Sequence, residues 1–275
     1  MSTKQKANSE RVILVTGATS GIGQSIASYL SAKGLTVYGT GRRVGFEKAE
    51  AGICGWVALD VTEPASVEQA VAQVLEASGR LDGVVNNAGI GMMGALGDTT
   101  EEELMRVFHT NVVGLHTVSR VAAPHLISSK GHLIQIGSVA GVVALPFRGV
   151  YCASKAAVEK MGEAWSMELA RHGVRVTVLR PGDFKTAIND NRLSVAAPDN
   201  ETYPGFKAVC DSVHAEVAHA WEPEAMGRAV FKVLNSKRPP LMRAVAPWLQ
   251  RLAIVLKHVL PPRIFERLIA GRYTL

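Results

Sequence analysis

The chain has 275 residues, 30 Lys or Arg against 24 Asp or Glu, a formal charge of +6 and 47% hydrophobic residues. That length and apolar content suit one large α/β domain, and three well-separated cysteines with no C-x-x-C argue against a disulfide framework or a zinc site. Residues 237–275 hold eight basic residues against Glu266, so that stretch carries +7 and the rest −1, which argues against a whole-surface basic field for nucleic acid.

Residues 1–10 are polar, lack the apolar core of a signal peptide and read as a disordered tail. Val12-Ile13-Leu14-Val15 opens a strand-like run over 12–16. Directly after it come Thr16-Gly17-Ala18-Thr19-Ser20-Gly21-Ile22-Gly23 and a segment of helical spacing over 24–33. Strand, glycine-rich turn and helix form the context of a dinucleotide site: glycines let the backbone approach a pyrophosphate, and the helix N-terminus offers N–H groups and a positive dipole end. Further apolar runs recur at 35–40, 55–59, 82–86, 132–137, 174–180 and 241–245, with helical segments between them. This alternation predicts an α/β fold with a doubly wound parallel sheet of about seven strands, covered by helices on both faces. A long helical stretch is expected after Thr100.

Tyr151 and Lys155 stand four residues apart at the opening of a predicted helix, on one face and one turn apart. An ammonium beside a phenol favours the phenolate, which makes Tyr151 a candidate proton donor and acceptor. Ser138 ends the strand-like run 132–137, so a strand-end hydroxyl and a helix-start phenol can meet one substrate oxygen.

Taken together, Thr16-Gly-x-x-x-Gly-x-Gly23, Asp60-Val61, Asn86-Asn87-Ala88-Gly89, Asn111, Ser138, Tyr151-x-x-x-Lys155 and Pro181-Gly182 with Thr186 resemble the short-chain dehydrogenase/reductase family over roughly residues 11–245. The wording of 145–155 and 89–94 is most similar to its hydroxysteroid and retinol dehydrogenase branches. The resemblance implies a Rossmann-type catalytic domain over 11–246 with a C-terminal helical extension over 247–275. It implies a catalytic set of Asn111, Ser138, Tyr151 and Lys155. Tyr151 protonates a carbonyl oxygen, Ser138 bonds that oxygen, Lys155 also holds the nicotinamide ribose, and Asn111 kinks its helix and holds a water on Lys155. The dinucleotide is expected on Gly17, Thr19, Ser20, Gly21, Ile22 and Gly23, on Asp60 and Val61 at the adenine, on Asn87, Ala88 and Gly89, and on Pro181, Gly182, Phe184 and Thr186 at the nicotinamide. After the second strand the acid that would bond an NAD ribose is missing, and Arg42 and Arg43 follow. A guanidinium fork grips a 2′-phosphate, so NADP(H) is the expected cofactor, with Arg42 the stronger candidate. No metal site is expected.

The expected activity interconverts a ketone and a secondary alcohol. Phe184, Ile188, Tyr203, Phe206 and Val209 in the long segment 183–221, with Met92, Met93, Leu145 and Phe147, suggest an apolar pocket. The substrate is therefore read as steroid-, retinoid- or fatty-lipid-like, with a 3-oxoacyl or 3-ketosphinganine type of lipid reductase as the alternative. An NADPH-sensing or lipid-binding protein without turnover is the alternative of another class. The long helices 101–127 and 151–171 are expected to form a homodimer. The extension 247–275 is basic and amphipathic; it is expected to pack near the cleft or a partner, and the other reading lays it on an anionic membrane. A cytoplasmic protein, peripheral to a membrane in that second reading, is expected.

Overall fold

The computed structural model of the chain describes residues 11–43, 54–185, 193–194, 202–218 and 220–273. The tail expected over 1–10, and Thr186 and Ile188, lie outside these residues. Nine strands are described in chain order: β1 (Val12–Val15), β2 (Thr36–Gly41), β3 (Gly55–Ala58), β4 (Gly83–Asn86), β5 (Met92–Met93), β6 (His132–Ile136), β7 (Arg175–Pro181), β8 (Leu193–Ser194) and β9 (Met242–Val245). Seven of them make one sheet in the order β3-β2-β1-β4-β6-β7-β9, parallel throughout. All seven expected strands are present, each within one residue of its predicted bounds. The short parallel pair β5–β8 was not foreseen. Two-residue strands carry too little periodicity to be read.

The helices among the described residues are α1 (Gly21–Ala32), α2 (Pro64–Ser78), α3 (Glu101–Phe108), α4 (Leu115–Ser129), α5 (Gly149–Ala170), α6 (Phe206–Ala218), α7 (Glu224–Leu234), α8 (Trp248–Val259) and α9 (Pro262–Arg272). Side-chain alternation along the strands sends successive residues to opposite faces. Ile13, Val15, Val85, Ile134 and Ile136 join the cluster under α1 and α7. Val12, Leu14, Val84 and Leu133 join the cluster under α2, α4 and the C-terminal part of α5. Both faces are thus buried, as an all-parallel sheet requires.

Local chemistry sets the helix ends. Thr100 and Glu103 form a capping box: the Thr100 hydroxyl accepts from the Glu103 N–H at 3.2 Å, and the Glu103 carboxylate accepts from the Thr100 N–H at 2.9 Å. Three glutamates in that first turn complement the helix dipole. The expected long helix after Thr100 is divided. A π-helical turn over His109–Gly114 separates α3 from α4 and carries Asn111 at its centre.

Because the strands run β1-β2-β3 in one direction and β4-β6-β7-β9 in the other, the connections diverge between β1 and β4. A crevice opens there at the carboxyl ends of the strands, the place where α/β sheets bind ligands.

Candidate active site

The crevice floor is built by the turn after β1. Gly17 and Gly21 have φ of +64° and +55°, which a side chain would strain. A Cβ on Gly17 would stand 2.9 Å from the Ala88 Cα, and one on Gly23 would meet the Gly17 carbonyl oxygen. The β4 end clasps this turn. The Asn87 amide donates to the carbonyls of Thr16 at 3.0 Å and Gly17 at 3.1 Å, while the N–H groups of Asn87 and Ala88 donate to the Thr16 hydroxyl, each at 3.0 Å. Asn87 therefore shapes the loop as well as facing the groove.

A groove of about 630 Å³ runs across this floor, bordered by Gly17, Thr19, Ser20, Gly21 and Ile22, by Arg42, Asp60 and Val61, and by Asn87, Ala88 and Gly89. At its other end stand Tyr151, Lys155 and Pro181. Gly23 is buried beneath the turn, and Arg43 is exposed and not part of the lining. Gly182 and Phe184 border the neighbouring cavity instead, because the chain after β7 passes between the two hollows. Burial pushes the Asp60 carboxyl up, but bonds from the Thr62 hydroxyl at 2.7 Å and the Thr62 N–H at 3.0 Å, with the charges of Arg42 and His109, hold it below its ordinary value. Asp60 is thus a carboxylate, and Arg42 borders the same groove. Arg106, His109 and Thr110 also border the groove and escaped sequence reading. His109 is exposed, but the turn that presents it faces the crevice.

Lys155 is buried, and its Nζ donates to the Ile136 carbonyl at 2.9 Å and lies 5.9 Å from the Tyr151 ring centroid. Desolvation lowers its pKa from the ordinary lysine value to about 8. One turn further along α5, Glu159 pairs with Arg180 of β7 through two bonds of 2.8 and 2.9 Å, pinning the helix to the sheet. Fully buried Asn111 accepts from the Ile90 N–H at 2.8 Å and donates to the Ile90 carbonyl and the Ser154 hydroxyl, each at 3.0 Å. It ties the π turn, the β4–β5 connection and α5 together beside Lys155. Ser138 caps a short 3-10 turn over Val139–Gly141, its oxygen accepting from the Ala140 N–H at 3.1 Å.

Ser138 and Tyr151 share a second hollow, a cavity of about 180 Å³ lined largely by apolar side chains. Met92, Leu145 and Phe184 border it, as expected from the sequence. Met93, Phe147, Phe206 and Val209 pack beside it, with Phe147 and Phe206 edge to face at 5.1 Å. Its outer wall is made by Leu249, Gln250 and Ala253 of α8, Ile269 and Arg272 of α9, and Tyr273 just after it. Gln250 exchanges hydrogen bonds with Asp183 across the entrance. Arg148, three residues before the tyrosine, also borders the cavity, with Cζ 5.7 Å from the Tyr151 ring centroid. Tyr151 is the hinge of the arrangement, since its side chain borders both hollows.

The residues present fit a dinucleotide: a glycine floor that a Cβ would fill, a helix N-terminus, a guanidinium at one end and a buried lysine at the other.

A family profile described as short chain dehydrogenase matches residues 11–195. Among curated proteins, the chain is 36% identical over 259 residues to a 3-ketodihydrosphingosine reductase of Bacteroides thetaiotaomicron, covering 93% of this chain and 95% of that one. It is 30% identical to the bovine dehydrogenase/reductase SDR family member 7B, covering 95% and 81%. Among solved structures, a short-chain dehydrogenase from Streptomyces avermitilis superposes with a TM-score of 0.78 at 28% identity, over 96% of both chains. A short chain dehydrogenase/reductase of Burkholderia phymatum in complex with NAD has a TM-score of 0.79 at 25% identity, over 90% and 93%. A serine dehydrogenase complexed with NADP+ has a TM-score of 0.74 at 28% identity, over 86% and 94%.

Proposed function

Because the chain belongs to the short-chain dehydrogenase/reductase family, we propose that it is an NADP(H)-dependent reductase of a ketone on a long-chain lipid, of the 3-ketosphinganine type. The observation that carries this reading is the pairing of Ser138 and Tyr151 in a largely apolar cavity, with Tyr151 also bordering the dinucleotide groove. The relative named 3-ketodihydrosphingosine reductase supports a lipid ketone over a steroid or retinoid, whose likeness rests on two short stretches. Arg42 at the groove supports NADP(H).

The acid–base work falls to the chain's own groups. When bound, the reduced nicotinamide supplies the hydride that reaches the carbonyl carbon. The Tyr151 hydroxyl hands its proton to the carbonyl oxygen. Ser138 already accepts from the Ala140 N–H, so its own O–H is left to donate to that same oxygen and stabilise the charge that develops there. The Lys155 ammonium favours the phenolate that Tyr151 becomes, and its bond to the Ile136 carbonyl holds it in register. Asn111 and the Glu159–Arg180 pair keep α5 and the adjacent backbone in place.

The test is NADPH consumption by the purified protein with 3-ketosphinganine beside steroid and retinoid carbonyls. Turnover of the long-chain amino ketone at the highest kcat/KM supports the reading. Preference for a steroid ketone overturns the substrate class, and no turnover of any carbonyl overturns the enzyme reading.

A further inference from the structure

The two C-terminal helices are each divided lengthwise. At 100° per residue, Trp248, Leu252, Val255 and Val259 of α8 fall in one stripe about 60° wide. The residues of α8 that line the cavity, Leu249, Gln250 and Ala253, centre roughly 130° away. On α9, Ile264 and Leu268 fall about 40° apart in one stripe, and Ile269, about 100° beyond Leu268, borders the cavity with Arg272. The stripe residues are between 40% and 71% exposed, and α8 has no buried residue at all. So the tail covers the cavity with one face and leaves an apolar face uncovered. Arg251 on α8, and Arg263 and Arg267 on α9, lie beside the stripes on the side away from the cavity, all three exposed. Among the described residues none of them forms an ion pair.

We propose that α8 and α9 dock this protein on an anionic lipid bilayer, with the two apolar stripes in the interface and the arginines on lipid headgroups. Charge decides between a bilayer and a second copy of the chain. A two-fold contact would set this face against itself and bring Arg251, Arg263 and Arg267 against the same arginines of the second copy, opposing like charges. An anionic surface complements both the stripes and the rim. Among the described residues no helix is long and apolar enough to cross a membrane, and at 12 and 11 residues these two lie on a bilayer rather than span it. The same helices wall the cavity, so a lipid leaving the bilayer meets the site at once. Delivery of that lipid rests on the lipid-ketone reading; the docking does not.

The test is sedimentation of the full chain with vesicles of phosphatidylcholine, with and without phosphatidylglycerol, at low and high salt. The expected result is salt-sensitive binding to the anionic vesicles, with a blue shift of emission that Trp248→Phe removes. Each of Arg251→Gln, Arg263→Gln and Arg267→Gln should weaken binding about fivefold, and the triple variant on the order of a hundredfold. Trp248→Ser with Val259→Ser should weaken it as well. Circular dichroism and turnover of a short soluble ketone show that these variants fold. Absence of binding to any vesicle overturns the proposal, as does binding that the variants leave unchanged. Self-association in place of vesicle binding, lost in the same variants, would assign the face to a second copy and equally overturn it.

Discussion

Among single residues, the proposed mechanism puts proton transfer on one phenol, Tyr151, and its control on one ammonium, Lys155. Tyr151→Phe keeps the ring that borders both hollows and removes only the proton. It should abolish carbonyl reduction while leaving NADPH affinity within about twofold, as titration calorimetry beside steady-state assays would show. Comparable turnover in this variant removes Tyr151 from the chemistry. Lys155→Met should lower both rate and NADPH affinity, because one side chain faces the cofactor groove and the phenol together. With its pKa lowered to about 8, Lys155 loses its charge as pH rises through that value, so reduction should decline above about pH 8. The stability consequence has the opposite sign. Between about 8 and the ordinary value of 10.5 the unfolded chain holds a proton that the folded chain has released, so folding gains stability as pH rises. Lys155→Met should flatten that rise in denaturant titrations. Arg42→Ala should weaken NADPH binding by about 1.5–3 kcal/mol, the range for a hydrogen bond to a charged group, and leave NADH nearly untouched. Equal losses for the two nucleotides would show that Arg42 does not read a 2′-phosphate.

At the scale of elements, the groove depends on backbone approach at a few glycines. Gly17→Ala would put a Cβ against Ala88 at a positive φ, so both a stability loss of at least about 1 kcal/mol and weaker NADPH binding are expected. The glycine-rich turn was readable because its spacing and its place between an apolar run and a helical one are local features. The π turn was not. It is held by Asn111 reaching Ile90, a bond across 21 residues, and side-chain periodicity alone continues straight through the segment. Likewise the apolar character of 247–275 was plain, but which face of α8 turns inward depends on the Gly182–Gln250 approach at the end of β7. Deleting residues 247–275 removes one wall of the cavity and uncovers the packing around Phe206 and Val209. It should raise KM for a long-chain ketone several-fold or more while NADPH binding survives, because the groove is built by earlier strands.

At the scale of the whole molecule, the seven-stranded sheet was legible because β1, β4 and β6 alternate apolar side chains to two clusters and are separated by helical segments. The order in which the strands pair came from no single motif, but the divergence between β1 and β4 sets the crevice where Ser138, Tyr151 and Lys155 meet. Residues such as Arg148 and Gln250 were invisible as site residues since nothing local marks them; folding brings α8 over a cavity begun a hundred residues earlier. On the proposed function, Tyr151 couples the dinucleotide groove to the apolar cavity. Initial-rate kinetics of the wild-type protein and Tyr151→Phe, with NADPH and NADH against a long-chain ketone, tests it most directly. Saturable turnover with at least about tenfold higher kcat/KM for NADPH, and none in Tyr151→Phe, is expected. Equal or greater efficiency with NADH, or turnover that survives loss of the phenol, would contradict it.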